Sequence, residues 1–328
     1  MKILFLCHEQ RMHYSMEPAY FELVLPLSKV DGIECITYPY QRISSITDVD
    51  QRDFLLDSMY KDIKCLCQLY KPDIIFNALT WHNECIPGYI LRKIRDLCDN
   101  LVTVFFDHDE SNALMLNDER DFFENSKLNI FVDSPNRVKR INENYLYSNW
   151  ENKKSAYFKP LPIDDNIFKC IEHPLQRVAI IGSQEGFRIE VINFLKSQKL
   201  LNIHTAGSIL DSKDFLPIEQ YACEIYSSLI NIVTSTQTYR SQIKGRSFQV
   251  ISTGTCLLEQ ENEDNANFFN SEYIFFWRSY EDLLCGIDLI QSNPKLHLEK
   301  SREYRIEMQK FTLPSYWIRD VFEKVNSA

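Results

Sequence analysis

Gln242-Ile243-Lys244-Gly245-Arg246-Ser247-Phe248-Gln249-Val250-Ile251-Ser252-Thr253-Gly254-Thr255-Cys256-Leu257-Leu258-Glu259 reads as a short helix that ends in glycine and passes at once into a buried strand. Two cations, Lys244 and Arg246, flank Gly245 at the expected helix start. Gly254 suits the residue just past a helix, where a left-handed backbone is needed. On such a helix Arg246, Gln249, Val250 and Thr253 share one face, at spacings of three and four. Cationic side chains and unbonded backbone N–H groups at one helix N-terminus both favour an anion, and a diphosphate uses both. The competing reading is a solvated Lys/Arg cap on a core helix.

Outward from this stretch the same rhythm repeats. Strands are expected upstream at Ile3–Cys7, Ile33–Thr37, Asp73–Asn77, Leu101–Phe106 and Asn129–Val132, with helical periods between them. A second series has strands at Arg177–Ile181, Ile203–Ala206, Ile230–Val233, Thr255–Leu258 and Tyr273–Phe276. Parallel strands need crossovers, so strand–helix alternation at this spacing predicts parallel sheets covered by helices. With 328 residues, two doubly wound α/β domains are expected. The break is placed within Tyr157–Pro174, where Lys159-Pro160-Leu161-Pro162-Ile163-Asp164-Asp165 cannot continue a helix. The expected domains are residues 1–165 and 175–312, with a closing helix over 313–328 that packs back on the first domain through Trp317 and its apolar neighbours.

The second series opens with Val178-Ala179-Ile180-Ile181-Gly182-Ser183, a strand running into a glycine turn ahead of a helix. Gly182 and Ser183 are candidates for holding a phosphate or a sugar hydroxyl with their backbone N–H groups. A plain tight turn between strand and helix explains the same residues.

Composition removes several classes. A net charge of −10 lacks the general field for non-specific nucleic-acid binding, so no nucleic-acid partner is expected. The ten cysteines are scattered without a C-x-x-C pair, and several lie in apolar runs, which suits reduced thiols in a cytoplasmic protein. The apolar start, Ile3 to Cys7, breaks at His8-Glu9-Gln10-Arg11, too short for a leader or a span. Membrane association is expected to be peripheral at most.

In an open α/β sheet, ligands bind beyond the carboxyl ends of the strands. In the first domain those ends carry His8-Glu9, Thr80-Trp81-His82-Asn83-Glu84 and Asp107-His108-Asp109-Glu110. His82, Asp107, His108 and Asp109 are therefore the candidates for a general base or for binding acceptor hydroxyls. Asp107 and Asp109 are preferred because they end the most apolar strand. Polar loops hold polar residues for simpler reasons too. A metal site built from these four is conceivable on chemistry alone.

Several motifs of the last third also occur together in one known family. The stretch from Ser227 to about Arg319 resembles the C-terminal domain of GT-B glycosyltransferases, in particular the spore-maturation glycosyltransferase-like family. The residues that carry the likeness are IKGRSFQVISTG, then TCLLEQENEDN, then FFWRSYEDLLCGI, preceded by Ser228-Leu229-Ile230-Asn231-Ile232. The resemblance implies two Rossmann-like domains facing a cleft, with a nucleotide-sugar donor (a UDP- or GDP-sugar) held mainly by the second. It implies no cofactor and no metal in the site. Lys244 and Arg246 would lie near the diphosphate, and Gln249 stands where the family has a ribose-binding glutamate. Thr253, Gly254 and Thr255 would shape the turn beneath the nucleotide, and Glu259 completes the donor-side candidates. Ser241 stands where retaining relatives carry a further glutamate. The implied activity is transfer of the sugar to a glycan, lipid-linked or protein hydroxyl. A non-catalytic nucleotide-sugar or glycan-binding scaffold and a sugar epimerase of the same fold are the alternatives.

Overall fold

The computed structural model describes residues 1–8, 20–40, 46–79, 86–106, 122–143, 156–182, 184–198, 203–206, 216–235 and 241–327. They divide into two compact units, and the chain leaves the first after Pro162 and returns to it at Pro314.

In the first unit β1 (Lys2–His8) leads to a π-helical turn (Tyr20–Val24) that runs into α1 (Leu25–Ser28), then β2 (Glu34–Tyr40) and α2 (Val49–Tyr70). There follow β3 (Ile74–Leu79), α3 (Gly88–Arg95), β4 (Leu101–Phe105), β5 (Leu128–Phe131), α4 (Pro135–Asn142) and β6 (Ala156–Phe158). The six strands pair in the order β2-β1-β3-β4-β5-β6, every pair parallel. Ile3 to Cys7 are buried on both faces, as a central parallel strand between two helical layers requires. One face of β1 gives Leu4 and Leu6 to a core with Leu56, Met59 and Ile63 of α2, and the other gives Ile3, Phe5 and Cys7 to a second core. Asp48 caps α2 by accepting from the Gln51 amide at 2.9 Å, and its buried residues form a single stripe.

Strand β6 overlaps the start of the stretch in which the sequence reading places the break. Only three residues long, it is fixed by Asn142, whose side-chain amide bonds both the carbonyl and the N–H of Ala156. A strand this short has no periodicity to read.

The second unit runs β7 (Leu175–Ile181), α5 (Phe187–Ser197), β8 (Ile203–Ala206), α6 (Ile218–Tyr226), β9 (Ser228–Val233) and α7 (Gly245–Thr253). It continues with β10 (Cys256–Gln260), α8 (Glu263–Phe268), β11 (Phe275–Trp277), α9 (Tyr280–Ser292) and α10 (Pro294–Thr312). Its strands order β11-β10-β9-β7-β8, again all parallel. The acidic segment after β10 is the start of α8, where Asn262 and Asn265 bond each other's backbone N–H groups in a capping box.

The last helix, α11 (Pro314–Ser327), belongs to the first unit. Its Trp317, Ile318, Val321 and Val325 join Phe5 and Phe76 in the second core of that unit. The Trp317 indole is fully buried and donates to the Pro160 carbonyl at 2.6 Å. Asp320 accepts from the Tyr157 hydroxyl at 2.7 Å and from the buried Lys159 ammonium at 2.5 Å. Desolvation lowers the Lys159 pKa, so this cation depends on its carboxylate partner.

Candidate functional site

The chain crosses from β7 to β8 on one side and from β8 back to β9 on the other, so the order reverses between β7 and β9. A crevice beyond the carboxyl ends of two such strands is where open α/β sheets hold ligands. Strand β7 runs directly into Gly182, whose φ of +122° only glycine adopts without strain. The guanidinium of Arg246, from the first turn of α7, lies against this glycine. A Cβ built on Gly182 would come within 2.6 Å of Arg246 Cζ and 2.8 Å of its Nη1. Any side chain at 182 would thus displace the guanidinium.

A second arginine converges here. Arg188, in the first turn of α5, is buried and donates to the Thr234 carbonyl at the end of β9 at 3.0 Å. Burial first, and the field of Arg246 second, bring its pKa down to about 9. Two guanidinium groups held this close repel, and an anion between them relieves the repulsion.

Arg246 Nε donates to the Tyr221 hydroxyl at 3.0 Å, and that hydroxyl donates to Gln249 Oε1 at 2.8 Å. The Tyr221 ring stands edge-on to the buried Phe168, with centroids 6.2 Å apart. Next to Arg246 in the chain, Ser247 donates to Glu259 Oε2 at 2.7 Å, and Asn265 donates to Glu259 Oε1 at 3.2 Å. Burial pushes the Glu259 carboxyl up to about 8, although these bonds and the charges of Arg246 and Lys244 pull the other way. Lys244 takes the N-cap position of α7, where it offers no acceptor for the first N–H groups. With Ser235, Gln242 and Glu259 it lines a polar recess at the ends of β9 and β10.

Of the donor-side candidates, the structure brings Gly182 and Arg246 into contact and sets Lys244, Gln249 and Glu259 around the same helix start. Thr253 and Gly254 lie at the opposite end of the nine-residue α7, about 13 Å away at 1.5 Å per residue. There the Thr253 and Thr255 hydroxyls bond each other at 2.9 Å, Asn231 donates to Thr255, and Gly254 takes the left-handed cap. Ser183, His82, Asp107, His108 and Asp109 lie outside the described residues. Sequence reasoning passed over Arg188 and Tyr221. For Arg188 a signal existed: Gly186-Phe187-Arg188 puts a cation on the first turn after a glycine, as Gly245-Arg246 does. For Tyr221 there was none, since only the fold carries it to Arg246.

No family model matches the sequence, and no curated protein matches it either. Two parallel-sheet α/β units in succession have the GT-B fold, and solved structures of that fold match along the whole chain. HepE of Anabaena, in complex with UDP-glucose, has a TM-score of 0.65 at 10% identity and covers 100% of both chains. Sucrose-phosphate synthase from Thermosynechococcus elongatus has a TM-score of 0.61 at 11% identity, covering 100% of this chain and 99% of its own. A UDP-GlcNAc 2-epimerase from Neisseria meningitidis, bound to UDP-GlcNAc, has a TM-score of 0.50 at 10% identity, covering 100% and 99%. Among the described residues no helix is long and apolar enough to cross a membrane.

Proposed function

We propose that this chain is a GT-B glycosyltransferase of the spore-maturation-like family, which takes its sugar from a nucleotide donor. The observation that carries the reading is the seat of Arg246 on Gly182, beside Arg188, at the reversal point of the second sheet. Breaking the glycosidic bond leaves growing negative charge on the departing nucleoside diphosphate. Arg246, Arg188, Lys244 and the start of α7 are charges and dipoles set in advance for it, which is how such transition states are stabilised. The acceptor hydroxyl of a glycan, lipid-linked or protein substrate attacks the anomeric carbon. Its proton goes to a base, for which Asp107 and Asp109 are the first choices and His82 and His108 the next. That HepE was solved with UDP and with UDP-glucose supports a UDP donor. The domain division proposed with this function puts the donor in the second unit and the acceptor in the first.

Calorimetric titration of Arg246→Ala tests the reading. UDP should bind about 1.5–3 kcal/mol more weakly, the range for hydrogen bonds to a charged group, while uridine changes little. Equal losses for both ligands would place Arg246 away from the phosphates. Likeness to several UDP-GlcNAc 2-epimerases motivates one second reading, isomerisation of the donor sugar. Product analysis after incubation with UDP-sugars separates the two, because an epimerase returns an isomerised UDP-sugar with no acceptor present.

A further inference from the structure

We propose that Tyr221 is a positioning residue for the anion site, holding the Arg246 guanidinium so that its two terminal nitrogens lie across Gly182. This rests on the donor-site reading above. An arginine on the first turn of a helix has a long, rotamer-rich side chain, and its orientation needs a cause. Among the described residues Arg246 makes no ion pair, and its side chain makes one hydrogen bond, from Nε to the Tyr221 hydroxyl. The neighbouring cation, Arg188, pushes it away rather than holding it. Without the phenol, the guanidinium would gain entropy and lose repulsion by swinging into solvent.

Tyr221 is itself fixed at both ends. Its ring packs on Phe168, and its hydroxyl must send its proton elsewhere than Arg246, whose Nε only donates. That proton goes to Gln249 Oε1. The chain Arg246–Tyr221–Gln249 therefore has one direction, and engaging Nε leaves the Nη1 and Nη2 pair to face the crevice. Two parallel N–H donors of that kind match two phosphate oxygens. Helix α6, which brings Tyr221, thus reaches the ligand through α7 without touching it.

The test is a double-mutant cycle on the full chain, titrating UDP and uridine into the wild type, Tyr221→Phe, Arg246→Ala and the double variant. Phenylalanine keeps the ring against Phe168 and removes only the hydroxyl. UDP should bind about 5- to 10-fold more weakly to Tyr221→Phe, and uridine should lose less than UDP. The double variant should bind UDP no more weakly than Arg246→Ala, since the hydroxyl acts through that arginine. If Arg246→Ala weakens UDP and Tyr221→Phe does not, the positioning role is wrong and the donor site stands. A Tyr221→Phe penalty that persists in full without Arg246 also overturns it. Unaltered UDP binding in Arg246→Ala removes the donor-site reading and this inference with it.

Discussion

The guanidinium of Arg246 occupies the space in which a side chain at Gly182 would begin. A glycine at the end of β7 and a cation on the first turn of α7 are thereby one unit, and each makes sense only with the other. Gly182→Ala combines two penalties. The +122° φ is strained for any L side chain, and the new methyl displaces Arg246. The variant should lose about 1–3 kcal/mol of stability. Its UDP affinity should fall as far as that of Arg246→Ala. Calorimetry and a denaturant melt check both, and wild-type UDP affinity in this variant would separate the glycine from the site.

Glu259 predicts a pH dependence of stability. Its carboxyl titrates near 8 when folded against an ordinary value of 4.5, because burial disfavours the charged form. The native state therefore holds this proton more tightly than the unfolded state. The contribution is complete below about 4.5 and is lost as pH rises through about 8. In that window one proton corresponds to roughly 1.4 kcal/mol per pH unit. Glu259→Gln keeps the shape without the titration. Urea melts from pH 5 to 9 should show the wild type losing stability relative to the variant as pH rises. A constant difference across that range would mean that Glu259 is ionised in the fold.

Trp317 ties the chain's end to the first unit. It is fully buried against Phe76, with ring centroids 5.9 Å apart, and its indole N–H is spent on Pro160. Trp317→Ala should cost about 3–5 kcal/mol, the range for removing a large buried aromatic. Deleting residues 315–328 should destabilise the first unit further, because Val321 and Val325 go with it. A truncated chain that melts like the full one would contradict the packing.

Gln249 tests the ribose. Glutamate at this position still accepts from Tyr221 and adds a second ionised oxygen, and charge-assisted bonds are about twice as strong as neutral ones. Gln249→Glu should tighten UDP binding by on the order of 1 kcal/mol if the ribose hydroxyls lie there. Titrations with UDP, GDP and their nucleosides measure it. Unchanged or weaker binding would remove Gln249 from the ribose site.

The repeating strand–helix order was legible because each element carries its own signal. The Ile3–Cys7 run is apolar on both faces, and Gly254 closes α7 where its backbone turns left-handed. The cations of α7 were legible as well, since Lys244 and Arg246 sit at a helix start that chain-local rules identify. Thr253 and Gly254 joined the donor-side candidates through the family resemblance, as residues shaping the turn beneath the nucleotide. A helix separates its ends by 1.5 Å per residue, and this pair lies at the far end of α7, just ahead of β10.

Sequence alone determined the class of architecture and the place where positive charge gathers, since both depend on local periodicity and on the residues at a helix start. Tertiary structure decided what that charge meets. Arg188 arrives from α5, Tyr221 from α6 and Gly182 from the end of β7, brought together by parallel pairing of strands distant in sequence. The raised pKa of Glu259 is likewise a product of the fold. A carboxyl in a sequence has an ordinary pKa, and only the packing that strips its water raises it.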